Sequence, residues 1–320
     1  MAGRTDGFQF ISFLTDFGLD GESVGICKGV IARINPDARV IDITHGVPAF
    51  DVTAGALALA STVTYMPVAV HLAVVDPGVG SRRQAVALAV ARGDILVGPD
   101  NGLLRPAAEA LGGILHAYRL ENRKYMLQPV SATFHARDVF APAAAHISRG
   151  VDPVELGARV GIEELVPAPW QDHWLPMDEW LPALTGTNRL DRPSLWRWEG
   201  TVIGFDQYGS ARLNLRLHPE DDPWGRVQKA QVARGERTAQ GGPTVQGGRT
   251  VQLHLAPVFS SPAVRSPVTL PWVYTYSDVP PGTPCLLVDS DGRLLIAVDQ
   301  GSARRQLGLA AGQRVIIELP

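Results

Sequence analysis

The sequence predicts an α/β N-terminal domain, with a mainly parallel sheet flanked by helices, plus a smaller, mostly β, barrel-like C-terminal domain. Three observations carry this expectation. Short apolar runs of strand type alternate with segments of helical spacing through the N-terminal half. From Gly200 onward the pattern becomes short β runs separated by Gly, Pro and Asp. Between them lies a stretch rich in proline and tryptophan. A length of 320 residues suits two domains of ordinary size. The expected boundaries are 8–165 for the α/β domain, 166–199 for the linker and 200–320 for the β domain.

The elements follow in order. Residues 1–7 are small and polar and read as a disordered start. Phe8 to Leu14 reads as a buried strand that ends at Thr15-Asp16-Phe17-Gly18. Glu22 to Asn35 carries Val24, Cys27, Val30, Ile31 and Ile34 at helical spacing. Arg39 to Thr44 is a second strand and Asp51 to Tyr65 an Ala-rich helix. Val68 to Val75 is a third strand, ending at Asp76-Pro77-Gly78. Strand, helix, strand, helix, strand implies parallel pairing with right-handed crossovers. Reactive residues then cluster past the carboxyl ends of strands, where Asp16 and Asp76 fall. Ala85 to Ala91 and Asp94 to Val97 form a hairpin about Arg92-Gly93, and Phe140 to Arg149 is a helix. The linker holds Pro167, Pro169, Pro176, Pro182 and Pro193 with Trp170, Trp174, Trp180, Trp196 and Trp198, and reads as packed on a surface. Residues 219–250, polar and Gly/Gln-rich, read as an irregular insertion.

Composition narrows the function classes. Apolar residues make up 45% and charged residues 19%, as in globular proteins. The net charge of -3, with scattered basic residues, gives no nucleic-acid or anionic-membrane surface. The N-terminus has no basic region leading into an apolar one, and no apolar run reaches the roughly 18 residues of a membrane span. The two cysteines, Cys27 and Cys285, form no CxxC pair and read as buried thiols in a reducing compartment. A cytoplasmic location is expected.

Four constellations have the residue types for chemistry. Asp16 at a strand end suits two hydrogen bonds from a vicinal diol, or a plain turn or helix cap. Asp76 precedes a Gly-rich turn and the pair Arg82-Arg83, which suits a held Asp–Arg pair or a surface ion pair. Asp100-Asn101-Gly102 is a turn signal. His135 and Arg137-Asp138 stand at the entrance to a helix. The remaining histidines (His45, His71, His116, His146, His173, His218, His254) show no HxxxH or HExxH spacing, so no zinc site is expected. No GxSxG elbow, Walker A loop or GxGxxG is present.

Taken together in order, LTDFG at 14–18, SVGICKG at 23–29, ITHGVPAFDV at 43–52, VVDPGVGS at 74–81, GPDNGLL at 98–104 and TFHARDVFAPAAA at 133–145 resemble the S-adenosyl-L-methionine hydroxide adenosyltransferases. YSDVPPG at 276–282 and LLIAVDQGSA at 294–303 extend the resemblance. This family of S-adenosyl-methionine (SAM) hydrolases is related to the fluorinating and chlorinating enzymes that use the same substrate. The resemblance implies hydrolysis of SAM at C5′ to adenosine and methionine, with SAM as substrate and no cofactor or metal. The family's water-handling Asp, Arg and His fall on Asp76, Arg83 and His135. Its ribose aspartate falls on Asp16. Asp20 and Ser23 match the residues at the methionine amino end, Phe50 a ring near the ribose, and Asn101 and Phe134 lie in matching motifs. In the C-terminal part the resemblance assigns substrate contacts to Asp206, Ser210, Ser290, Val298 and Gln300. Ser210 and Asp289 stand where relatives carry Asn, and Asn214 fits a second Asn. A homotrimer with sites between subunits is also implied. Two alternatives share the substrate: a halide transferase, and a non-catalytic SAM or adenosine sensor. Halogenating relatives carry an aromatic residue at the position of Asp76, and fluoride binders a Ser at the position of Ala136. A third is a metal-dependent phosphohydrolase built on Asp16, Asp76 and Asp100.

Overall fold

The structure is a computed structural model that describes residues 7–175, 196–217, 250–257 and 266–319. The chain divides into two compact units, Met1–Pro169 and Trp170–Pro320.

The first unit opens with β1 (Phe10–Thr15), α1 (Ser23–Ile34), β2 (Arg39–Thr44), α2 (Val52–Val63) and β3 (Val70–Val74). It continues through β4 (Ala85–Val90), β5 (Ile95–Pro99), α3 (Arg105–Ala110), β6 (Ile114–Arg119), α4 (Ala141–Ser148) and β7 (Arg159–Val160). The strand order is β2-β1-β3-β5-β4-β6-β7. Pairing is parallel across β2, β1, β3 and β5. It turns antiparallel where β4 folds back on β5 and pairs β6, which in turn pairs β7. The register sets Leu14 beside Ala73 and Thr15 beside Val74. The chain therefore leaves β1 and β3 at the same sheet edge, as parallel pairing requires.

Local chemistry explains the element ends. Asp51, expected inside a helix, is the cap of α2, its carboxylate accepting the Ala54 N–H at 2.9 Å. The helical spacing of α1 buries Cys27, Val30 and Ile31 in the same core cluster as Ile11 and Phe13 of β1 and Ala144 of α4. Burial pushes the Cys27 thiol up to about 12 and the Cys285 thiol up to about 11, so both are unreactive core groups. Three elements of this unit, α3, β6 and the two-residue β7, are not anticipated from the sequence. Helix α3 is six residues long, with Pro106 as its second residue, and is too short for a periodic signal. Strand β6 exposes Leu115 and His116 and so lacks an apolar run.

Ser12, His71 and Asp94 lie in line inside the sheet. Ser12 Oγ and His71 Nδ1 are 2.7 Å apart, and His71 Nε2 and Asp94 Oδ1 3.0 Å apart. The side chains resemble a hydrolase triad, yet both His71 and Asp94 are wholly inaccessible. Their role is to tie β1, β3 and the turn before β5 together. Burial alone would raise the Asp94 carboxyl. Hydrogen bonds from Arg92, His71 and the Ala69 N–H outweigh it and hold the group below the usual carboxylate range.

The second unit holds β8 (His173–Leu175), β9 (Trp196–Phe205), β10 (Ala211–Leu217), β11 (Thr250–Leu255), β12 (Val268–Pro271), β13 (Pro284–Val288), β14 (Arg293–Val298), α5 (Ala303–Gln306) and β15 (Arg314–Leu319). The order is β12-β11-β15-β9-β10-β14-β13, and β8 pairs β10 in parallel. The two ends of this path meet. Trp272, just past β12, bridges Leu286 of β13, and the Val273 N–H donates to the Leu286 carbonyl at 2.9 Å. This contact curls the sheet into a near-barrel around Trp198 and Trp272, whose rings meet edge to face at 5.8 Å. Residues 170–175 of the Pro/Trp-rich stretch belong to this unit. Asp172 receives Arg293 at 2.5 and 3.0 Å, and the guanidinium groups of Arg293 and Arg216 lie over Trp170 and Trp174. Residues 176–195 of that stretch, 219–249 of the insertion and the first six residues lie outside the described residues.

Candidate active site

Two residues past β3, Asp76 begins a tight turn. Its backbone is fixed from the neighbouring strand end: Asn101 Nδ2 donates to the Val75 carbonyl at 2.8 Å, and Asn101 Oδ1 accepts the Leu103 N–H at 3.2 Å. The Asn101 side chain thus braces the strand end that delivers Asp76. Within the turn Gly80 has φ 76°, and a Cβ there would collide with the Ala132 carbonyl. Glycine therefore lets the turn press against the segment that carries His135.

Arg83 folds back over this turn. Its Nε donates to Asp76 Oδ1 at 3.0 Å and its Nη2 to Asp76 Oδ2 in a shorter bond. The same Nη2 lies 3.1 Å from His135 Nδ1. The guanidinium stacks over Phe140 at 5.2 Å from the ring centre. Phe140 closes a π-helical turn, Ala136–Phe140, that begins beside His135. The side chains of Arg83 and Asp76 are 8% and 6% exposed, whereas Arg82 is exposed. That difference separates the two adjacent arginines. Burial lowers the His135 pKa, the Arg83 charge lowers it further, and the carboxylates of Asp76 and Asp138 oppose both. Asp76, Arg83 and His135 therefore form one hydrogen-bonded assembly at the sheet edge.

Asp16 lies in a second structure at the same edge. Its Oδ2 accepts the Phe50 N–H at 2.9 Å. Phe50 has φ 68°, a left-handed backbone that carries its ring out to 71% exposure. The turn around Asp16 is pinned at both ends by His45. Thr15 Oγ1 is 2.8 Å from His45 Nδ1 and accepts the Phe17 N–H at 3.3 Å, while the Gly18 N–H donates to the His45 carbonyl at 2.8 Å. His45 is buried, and its Nε2 faces Asp42 at 3.2 Å. A search for metal-ligand spacing passes over this histidine; its proximity in sequence to Phe50 is the available signal. Phe17 meets Phe134 edge to face at 6.2 Å, which sets the Asp16 turn beside the His135 segment. Phe134 also lies under the Arg137 guanidinium at 5.0 Å. Asp20 is exposed, and Ser23 is the first residue of α1.

In the second unit, Asp206 and Ser290 line a cavity of about 350 Å³ with Arg212, Tyr274, Tyr276 and Asp289. Asp206 Oδ1 accepts the N–H groups of Tyr208 and Ser210, each at 2.9 Å. Ser210 is buried and its side chain hydrogen-bonds Tyr276. Asn214 braces β9, accepting the Thr201 N–H at 2.7 Å and donating to the Gln171 carbonyl. Asp289 Oδ1 accepts two backbone N–H groups, from Asp291 and Arg293, both at 2.9 Å. Its Oδ2 is buried without a hydrogen-bond partner, with Arg212 Nε at 4.0 Å. Burial pushes the Asp289 carboxyl up. Arg212 has no sequence signal as a pocket residue, whereas Tyr276 opens the YSDVPPG motif and Asp289 stands where relatives carry Asn. Val298 is 4% exposed, its side chain packed within the core. Gln300 adopts a left-handed φ of 51° in the turn that follows.

Among the described residues no three His, Cys, Asp or Glu side chains are grouped to hold a metal ion. None of the helices described is long and apolar enough to cross a membrane.

Known proteins are similar to this chain in sequence and in architecture. The profile of the SAM hydroxide adenosyltransferase N-terminal domain matches residues 11–157, and that of the C-terminal domain matches residues 200–316. The chain is 40% identical to the (R)-S-adenosyl-L-methionine hydrolase of Salinispora tropica, over 96% of each chain. It is 36% identical to the (R)-S-adenosyl-L-methionine hydrolase of Thermus thermophilus, over 95% of this chain and 98% of that one. A crystal structure of an uncharacterized conserved protein from Thermotoga maritima superposes with a TM-score of 0.71 at 29% identity, covering 96% of this chain and 99% of the other. With both domain profiles matched in order and near-full-length identity at this level, the chain belongs to the SAM hydroxide adenosyltransferase family.

Proposed function

We propose that this protein is an enzyme that hydrolyses S-adenosyl-L-methionine by attack of water or hydroxide at C5′, releasing adenosine and L-methionine. The observation that carries the reading is the joining of Asp76, Arg83 and His135 in one hydrogen-bonded group. The names of the S. tropica and T. thermophilus relatives support it. Sulfonium is a good leaving group, so the reaction needs an oxygen nucleophile held in line behind C5′. Positioning of this kind supplies up to about 7–11 kcal/mol in ideal cases. Arg83 holds the oxygen by its fixed charge, and Asp76 fixes Arg83 through two hydrogen bonds.

Asp16 grips the ribose diol with the oxygen not engaged by Phe50, and the exposed Phe50 ring packs on the nucleoside. Asp20, Ser23, Asn101 and Phe134 complete the N-terminal contribution. Asp206, Ser210, Ser290, Val298 and Gln300 serve the adenine and methionine ends from the second unit. Asn101 acts through the Val75 carbonyl that it holds. The working form is a homotrimer with sites between subunits, and no metal or cofactor beyond the substrate takes part. The enzyme works in the cytoplasm, where a reducing environment suits the free thiols of Cys27 and Cys285.

Halide transfer is disfavoured by Asp76, because a carboxylate can accept a hydrogen bond from water or hydroxide but receives none from a halide, which only repels it. Fluorinases are also more distant, as with the 27% identity to that of Nocardia brasiliensis over 65% of this chain. The test is incubation with SAM in ¹⁸O-water, followed by chromatography and mass analysis. Label is expected in the 5′-hydroxyl of adenosine, with turnover abolished in Asp76→Ala while SAM binding is largely kept. Unlabelled nucleoside, or a product that requires halide, overturns the reading.

A further inference from the structure

Resting on the hydrolase reading, we propose that His135 serves the nucleophile as a hydrogen-bond donor and not as its general base, because Arg83 fixes the ring as the Nε2–H tautomer. A guanidinium has five N–H donors and no acceptor. Its Nη2 approaches His135 Nδ1 to 3.1 Å, so that contact is favourable only when Nδ1 offers a lone pair. A neutral imidazole with Nδ1 bare carries its proton on Nε2.

Arg83 is not free to turn away and release Nδ1. Its Nε and Nη2 are both held by Asp76, and its plane lies on Phe140. A protonated ring would set an N–H against an N–H and a cation beside a cation. The charged groups that act on the ring are Arg83, Asp76 and Asp138. Burial and Arg83 together outweigh the two carboxylates and favour the neutral form. His135 Nε2 makes no hydrogen bond to the described residues, which leaves that N–H for a ligand oxygen.

Neither ring nitrogen then accepts a proton from water without breaking the Arg83 contact. A carboxylate is a far weaker base than hydroxide, and that of Asp76 is already paired with Arg83 through both oxygens, so it does not keep the proton. The proton therefore passes to solvent, and hydroxide is the species held between Arg83 and His135. Its oxygen forms the bond to C5′ as the C5′–S bond breaks. The electron pair of that bond stays on sulfur, and the hydroxide charge cancels the sulfonium charge.

Two measurements test this. The first is ¹⁵N NMR of the histidine-labelled full chain near neutral pH, with the His135 signals assigned by their loss in His135→Gln. Nδ1 is expected as a bare, pyridine-type nitrogen and Nε2 as a protonated one. An Nδ1–H tautomer or an imidazolium overturns the proposal, with no turnover needed. The second compares turnover of two variants. His135→Gln keeps an N–H donor without a base and is expected within about tenfold of the parent, while His135→Ala falls about a hundredfold, the scale for losing one preorganised donor. The acid limb of the kcat/KM profile is expected to persist in His135→Gln. Equal loss in both variants, with that limb abolished, overturns the proposal. If the parent chain itself forms no adenosine from SAM, the hydrolase reading fails while the NMR result still decides the tautomer.

Discussion

The backbone N–H of Phe50 donates to Asp16 Oδ2 at 2.9 Å, and it does so from a left-handed conformation with φ 68°. A residue with a Cβ pays roughly 1–2 kcal/mol for that region. The strain persists because the turn delivers both the Asp16 contact and an exposed ring to one place. Phe50→Gly removes the strain and the ring together. Its melting temperature is expected to equal or exceed the parent's, while KM for SAM rises about tenfold, on the scale of one lost aromatic contact. Calorimetry with steady-state kinetics checks this; a lower melting temperature would show that the ring supports the fold.

Thr15 is the link between His45 and the turn that carries Asp16. Its hydroxyl joins His45 Nδ1 and the Phe17 N–H. Thr15 is fully buried, so Thr15→Val leaves the buried His45 Nδ1 without its partner, at about 1–3 kcal/mol, and also frees the partly buried Phe17 N–H. The expected signature is a rise in KM with kcat little changed, and recovery in Thr15→Ser, which restores the hydroxyl. Equal falls in kcat for both variants would mean that the turn does not act through this hydroxyl.

Asp289 makes stability depend on pH in a stated direction. Its carboxyl is raised by burial, and its buried Oδ2 has no hydrogen-bond partner. A carboxyl whose folded value is raised binds its proton more tightly when folded. The folded state is thus favoured below the unfolded carboxyl value, and that advantage is lost as pH rises through the raised value. Asp289→Asn keeps the oxygen that caps Asp291 and Arg293 and carries no charge to desolvate. Urea titrations should find the variant more stable than the parent near pH 7, with the gap closing toward pH 3. A gap that is constant with pH would show that Asp289 does not titrate differently on folding.

Much of the first unit is legible in the sequence because its signals are local. Strand β2 falls at Arg39–Thr44 as expected, since a short apolar alternation bounded by turn residues needs no distant partner. The hairpin at Arg92-Gly93 is legible for the same reason. The free, buried state of Cys27 and Cys285 follows from their lack of any paired spacing. Helix α3 is not legible, because six residues with a proline in the first turn leave no period to detect. The segment at 170–175 reads as linker from its Pro and Trp content. Its true setting depends on Arg216 and Arg293, which reach it from 44 and 121 positions away.

By itself, the sequence determined the alternation of strand and helix, the turn residues at strand ends and the ordered motifs that mark the family. These depend on near neighbours along the chain. Tertiary structure decided which of Arg82 and Arg83 is buried against Asp76, that Asn101 braces Val75, and that His45 holds the turn around Asp16. It also closed the β unit through Trp272 and Leu286. It set the His135 ring against Arg83, 52 positions away, and a ring's tautomer follows from the donor it faces. Burial and hydrogen-bond partnership are properties of chain crossings, and no local pattern of residues encodes where distant segments meet.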